Sequence, residues 1–95
     1  MAIGGFTFGT YKNVTGSGNV SAKPCAIIGI LVNSTSSGTI TLYDDAGTGT
    51  TTAITGTITP SVGFLPINIE TTSGLNIVIG ATINITVVYS ISRGF

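Results

Sequence analysis

Apolar and polar residues alternate with a period of two along most of this chain. Between Thr39 and Asp44, Ile40 and Leu42 alternate with Thr39, Thr41 and Tyr43. Leu75, Ile77 and Ile79 share one face of Leu75–Ile79, and Ile83, Ile85, Val87 and Tyr89 share one face of Ile83–Ser90. Successive strand side chains point to opposite faces, so this alternation marks half-buried β-strands. The same rule predicts strands at Thr51–Thr59, with Ile54 and Ile58 inward and a bulge at Gly56, and at Val62–Glu70, with Ile67 and Ile69 inward. Pro66 has no N–H to give a ladder, which puts that strand at an edge or breaks it before Ile67. Phe6–Lys12 is predicted as a first strand and Asn19–Ala22 as a short edge strand. Cys25–Asn33 is apolar on both faces, as a central strand covered on both sides would be.

The punctuation between these segments is turn chemistry. Ser34–Gly38, Ser73-Gly74 and Gly80–Thr82 are short enough to turn hairpins, and Asp44–Thr50 is a longer Gly-rich loop. About seven or eight short antiparallel strands follow, the spacing of a sandwich or barrel. The expected fold is therefore all-β: a single domain over residues 1–95, a β-sandwich of jelly-roll or immunoglobulin-like kind. Residues 1–18 are the least regular part and suggest an N-terminal arm. The predicted core is Ile28, Ile30, Ile40, Leu42, Ile54, Ile58, Ile67, Leu75, Ile77, Ile85 and Val87.

Composition supports the strands and restricts the partners. Seventeen Thr, fourteen Ile and seven Val supply β-branched side chains, while Gln is absent and other good helix formers are scarce. Only 6% of residues are charged, with zero net charge, where about a quarter is usual. No basic patch exists to meet phosphates, so no nucleic-acid partner is expected. The longest apolar run, Cys25–Val32, is far short of the ~20 residues of a spanning helix, and seven aromatics do not make the girdles of a barrel. No membrane partner is expected. A surface this poor in charge associates readily, which predicts a homo-oligomer. Its candidate interface residues are the second apolar face of the central strand, Ile27 and Leu31, and the N-terminal aromatics Phe6, Phe8 and Tyr11.

Candidate chemistry is sparse. There is no His to activate a nucleophile or bind a transition metal, and Cys25 lies in the most apolar run, as an inert buried thiol would. The carboxylates are Asp44, Asp45 and Glu70 only, and the adjacent pair would point to opposite faces of a strand. No enzyme activity and no cofactor are expected. The Asp44–Thr50 loop offers oxygen ligands that Ca²⁺ could use, but it lacks the EF-hand spacing; Asp and Gly are equally what a turn requires. The reading preferred here is the turn, with no metal. Gly47-Thr48-Gly49 lacks the rest of a phosphate-binding loop, and the four Asn-x-Ser/Thr triplets at Asn13, Asn19, Asn33 and Asn84 follow from abundant Ser and Thr. The first residues show no charged n-region followed by an apolar h-region, and the lone Cys offers no disulfide. Synthesis in a reducing cytoplasm is the expectation.

Several segments together resemble a known class of protein. Ile28–Asn33, Gly38–Asp44, Leu65-Pro66-Ile67, Ser73–Val78 and Asn84–Tyr89 look like small virion proteins of tailed bacteriophages, in particular head decoration (cement) proteins. The resemblance implies a sandwich or jelly-roll domain, often trimeric, that sits on the outer capsid surface, binds the major capsid protein and ties neighbouring coat subunits together. It carries no catalytic motif. A tail, neck or head-fibre module with a receptor-binding role, or a non-viral β interaction domain, are the alternatives. The long loops Ser34–Gly38 and Asp44–Thr50 carry no aromatic for sugar stacking, which favours the cement reading.

Overall fold

A computed structural model describes residues 9–91 of the chain, and within them every regular element is a β-strand. Two strands dominate. Cys25–Tyr43 (β3) and Leu75–Ile91 (β5) run antiparallel from Cys25 opposite Ile91 to Tyr43 opposite Asn76. Gly63–Glu70 (β4) lines the first half of β3, from Ala26 opposite Glu70 to Val32 opposite Gly63. Thr10–Val14 (β1) and Gly18–Ser21 (β2) line β5 in succession, β1 against Ile85–Tyr89 and β2 against Leu75–Ile77. The result is one antiparallel five-stranded sheet, ordered β1-β5-β3-β4 with β2 also on β5.

The strand count differs from the seven or eight expected, because two predicted turns are not turns. Ser34–Gly38 lies inside β3 and Gly80–Thr82 inside β5, and they pair with each other: Ser36 and Ser37 both face Thr82, and Thr39 faces Gly80. Turn-forming residues in both strands at the same level let the pair bend together without losing the ladder. Ser37 and Ala81 take φ of 55° there, the left-handed conformation that introduces a sharp change of direction. Gly38 is needed beside them. A Cβ at that position would crowd the Ile83 side chain and stand 2.7 Å from the Thr82 carbonyl oxygen.

Thr51–Thr59 is also no regular strand. It touches the second half of β3 through two bridges, Ile40 to Ile58 and Tyr43 to Ala53. Ile40 N and Ile58 N each donate to the other's carbonyl, at 2.9 and 2.8 Å, and Ile54 N donates to the Leu42 carbonyl at 2.7 Å. The segment therefore caps an open edge of β3 that β4 does not reach. Within the expected arm, residues 1–18, Thr10–Val14 pairs with the chain's own β5, while residues 1–8 lie outside the described ones. Between β1 and β2 the chain leaves the ladder, and Ser17 substitutes for it. Its Oγ accepts from Ile79 N at 2.8 Å and donates to Ile79 O at 3.4 Å.

The core takes its residues from both ends of the two long strands. Ile30, Ile40, Leu42, Leu75, Ile77, Ile85 and Val87 are all fully buried, and with Val32, Ile83, Val14 and Val20 they form one cluster. Ile54, Ile58 and Ile67 only pack against it. Ile28, predicted in the core, is half-exposed, and Ile27, predicted at an interface, is 1% exposed and belongs to the core. The cause is a register shift. Ile27 faces Tyr89 while Gly29 faces Val88, so Ile28 is an extra residue and the inward phase of β3 passes from Cys25 and Ile27 to Ile30 and Val32.

Truncating fully buried side chains tests this arrangement: Ile40→Ala or Ile85→Ala should cost ~2–5 kcal/mol in urea unfolding, and exposed Thr59→Ala less than about 0.5 kcal/mol. Gly38→Ala should cost ~1–3 kcal/mol by overpacking against Thr82 and Ile83.

Candidate functional site

The two adjacent aspartates have separate structural tasks. Asp44, at the end of β3, accepts from the backbone N–H of Thr72 (2.9 Å), Ser73 (2.8 Å) and Gly74 (3.3 Å) and from the Thr72 hydroxyl (3.0 Å). It thereby ties the β4–β5 turn to the end of β3. Hydrogen bonding from Thr72 N, with Ser73, Thr72 Oγ1 and Gly74 behind it, stabilises the carboxylate and holds its pKa below the usual Asp value, although partial burial opposes the shift. Asp45 folds its own loop, accepting from Gly47 N at 2.7 Å and Gly49 N at 3.1 Å.

That loop is pinned to the sheet by two carboxamides. Asn19 Nδ2 donates to the carbonyls of Gly47 (2.7 Å) and Asp45 (3.3 Å), and Asn76 Nδ2 donates to Gly49 O at 3.0 Å. Asn76 is 2% exposed, and its Oδ1 is a buried polar atom with no hydrogen-bond partner among the described residues. No group of three or more His, Cys, Asp or Glu side chains converges among the described residues. Cys25 is fully buried; its backbone N–H is held by Thr71 Oγ1 at 3.0 Å and its Sγ lies 3.6 Å from the same oxygen. Burial pushes the thiol pKa up, which keeps it protonated and unreactive at neutral pH.

What the described residues do present is a face. Register places Asn13, Thr86, Leu31 and Phe64 in one row across β1, β5, β3 and β4, and Tyr11, Val88, Gly29 and Pro66 in the next. Both rows point away from the core, since the intervening Val87, Ile30 and Val32 are buried. Leu31 is 42% exposed, Phe64 55%, Val62 65% and Tyr11 73%. Phe64 lies over Gly29, where a Cβ would collide with the ring. The glycine thus leaves room for the far end of the ring, and the ring covers backbone that Gly29 would otherwise expose.

Of the candidate interface residues, Tyr11 and Leu31 are on this face, Ile27 is in the core, and Phe6 and Phe8 lie outside the described residues. Sequence reasoning missed Phe64 and Val62. Pro66 within the same segment signalled an edge strand, and Phe64 is at an outward position of that edge. No helix of the described residues is long and apolar enough to cross a membrane. Comparison with known protein families, with curated proteins and with solved structures returned no match.

Two stability predictions follow from the loop contacts. A carboxylate whose folded pKa is depressed stabilises the fold above its unfolded value, near pH 4, and loses that contribution as pH falls through the lower folded pKa. Asp44→Asn should therefore lower the melting temperature at neutral pH and flatten the acid limb below about pH 4 in a pH-dependent melting series. Asn76→Ala should cost ~1–3 kcal/mol and speed hydrogen exchange in residues 45–49, because it removes the amide that holds Gly49 O.

Proposed function

We propose that this chain is a non-enzymatic structural module that binds protein surfaces, as a virion decoration protein does: a homotrimer on the outer capsid that bridges coat subunits. The observation that carries the reading is the pair of exposed apolar side chains Leu31 and Phe64, opposite each other on β3 and β4, on a chain with six charged residues in 95. Side chains of this kind need a covering surface, and Phe and Leu set in a flat, uncharged patch are what a permanent protein interface contains. The residues quoted for the cement-protein resemblance include Leu31 on β3 and the Leu65-Pro66-Ile67 segment of β4.

The contact is made by side chains from the face and not by adding a strand. The outer side of β4 is an edge among the described residues, but Pro66 and the left-handed Asn68 (φ 54°) interrupt its hydrogen-bonding rim. Phe6 and Phe8 stay in the proposal as further anchors. The sandwich or jelly-roll form belongs to the same reading. Side chains at both ends of β3 reach zero exposure with no helix among the described residues to cover them, and the described part is 17 Å across its thinnest axis. We infer that the sheet folds over at Ser34–Gly38 and Gly80–Thr82, so that its two halves pack ~10 Å apart as layers.

Light scattering tests the assembly: three times 9.5 kDa is expected at micromolar concentration, and a monomer overturns the trimer. Phe64→Ser with Leu31→Ser should dissociate it while the far-UV circular dichroism stays that of the parent. In a purified virion carrying this chain, a quantitative gel should give a copy number that matches the coat lattice; the far lower number of a tail or neck part overturns the capsid reading.

A further inference from the structure

Beside the apolar row, the outward face carries an array of amides. Asn13 Nδ2 donates to Asn84 Oδ1 at 2.8 Å, to Ile85 O at 2.9 Å and, more weakly, to Thr86 Oγ1 at 3.4 Å. Asn33 Nδ2 donates to the same two side-chain acceptors, each at 3.0 Å. Three strands supply these groups: β1 gives Asn13, β3 gives Asn33, and β5 gives Asn84 and Thr86. Asn33 follows outward Leu31 and buried Val32, so alternation puts it on the outward face, and the register shift between Val32 and Ser34 sets it beside both Thr86 and Asn84.

The internal bonds leave a defined set of atoms facing water. Asn84 Oδ1 accepts from two amides, so the Asn84 Nδ2 donors are unused by any hydrogen bond among the described residues; so are Asn13 Oδ1 and Asn33 Oδ1. Asn13 and Asn33 are exposed and Asn84 half-buried. Two acceptors and one two-proton donor thus remain on three neighbouring amides, each side chain held by bonds already made and needing little ordering on binding. A hydroxyl group both donates and accepts, and neighbouring hydroxyls on a ring carry that pair of roles at the spacing of one amide.

The same face also provides an aromatic ring. Tyr11 is two residues before Asn13 on β1, hence on the same face and about 7 Å along the strand, and it is 73% exposed. Among the described residues of β1 and the facing part of β5 this face carries no charged side chain: Lys12 alternates to the other side of β1, where its Nζ donates to Asn19 O at 3.3 Å, and Glu70, the charged residue of β4, is at the far edge of the sheet. An amphipathic aromatic beside preorganised amides, with no charge, suits a ligand that has an apolar C–H face, several hydroxyls and no ionised group. A phosphate or sulfate would find no cation on this face among the described residues.

We infer that Asn13, Asn33, Asn84 and Thr86, with Tyr11 as the stacking ring, form a shallow binding site for a neutral carbohydrate. This inference does not rest on the virion reading, and the two fail separately: a trimer without sugar binding, or sugar binding without a trimer, is a clear result. The exposed ring is on the sheet face and not on a loop, so loops without aromatics are compatible with sugar stacking.

The labelled protein on an array of neutral glycans (glucans, galactans, mannans and chito-oligosaccharides), with heparin as an anionic control, provides the first measurement. Binding to at least one neutral glycan, and not to heparin, is expected. Titration of that glycan into ¹⁵N-labelled protein should shift the side-chain amide signals of Asn13, Asn33 and Asn84 saturably. Tyr11→Ala should weaken binding by at least about tenfold, roughly 1.4 kcal/mol, with an unchanged melting temperature, since the side chain is exposed. Asn33→Ala should do the same through its lost acceptor. Absence of binding across the neutral array, saturable shifts confined to other residues, or full affinity in a folded Tyr11→Ala variant each overturns the proposal.

Discussion

The antiparallel pairing of β3 with β5 is the constraint from which the rest of the molecule follows. It begins at Cys25 and Ile91 and continues to Tyr43 and Asn76, and every other strand attaches to one of these two. A ladder of this length, shifted in register at three places along β3, sets the inward phase of the two partners between those shifts. On β5 the buried Leu75 and Ile77 on one side of the 80–82 bend and Ile83, Ile85 and Val87 on the other are all odd residues, whereas β3 changes phase at the extra residue Ile28. Either strand slipping by one residue would exchange the buried Ile and Val set for Thr, Asn and Ser, so register is strongly held.

The flanking segments complete what the central pair leaves open. β1 and β2 divide the free side of β5 between them, and β4 and the 51–59 segment divide that of β3. Where a flank is interrupted, side chains supply the missing hydrogen bonds: Ser17 at Ile79, Asp44 at the 72–74 turn, Thr55 Oγ1 at Leu42 N. Scarce charge is thus spent on architecture. Asp44 and Asp45 serve turns, and buried or half-buried carboxamides carry much of the polar organisation that ion pairs carry in other proteins.

The outward face follows from the same register. Because Leu31 faces Phe64 and Thr86 faces Asn13, a single row passes from apolar to polar across four strands. The apolar end is carried by β3 and β4 and the polar end by β1 and β5.

The class of the fold was legible in the amino-acid order, and so was most of the core. Alternation at Ile40–Leu42, Leu75–Ile77 and Ile85–Val87 reads directly as strand, since a pleated backbone has only one way to bury such a pattern. The hydrogen-bonding partners of Asp44 and Asp45 were legible only as turn chemistry, without the turn 28 residues away that Asp44 holds. Strand number was not legible. Ser34–Gly38 and Gly80–Thr82 have turn composition, and only their pairing with each other makes them bends within two long strands. The phase of Cys25–Asn33 was equally closed to sequence, because a run apolar on both faces has no periodicity to show which residue a bulge will skip; the register with β5 selected Ile28 and put Ile27 inside. Convergence of Asn13, Asn33 and Asn84, from positions up to 71 residues apart, is a product of tertiary pairing alone, since no local pattern encodes which strands become neighbours.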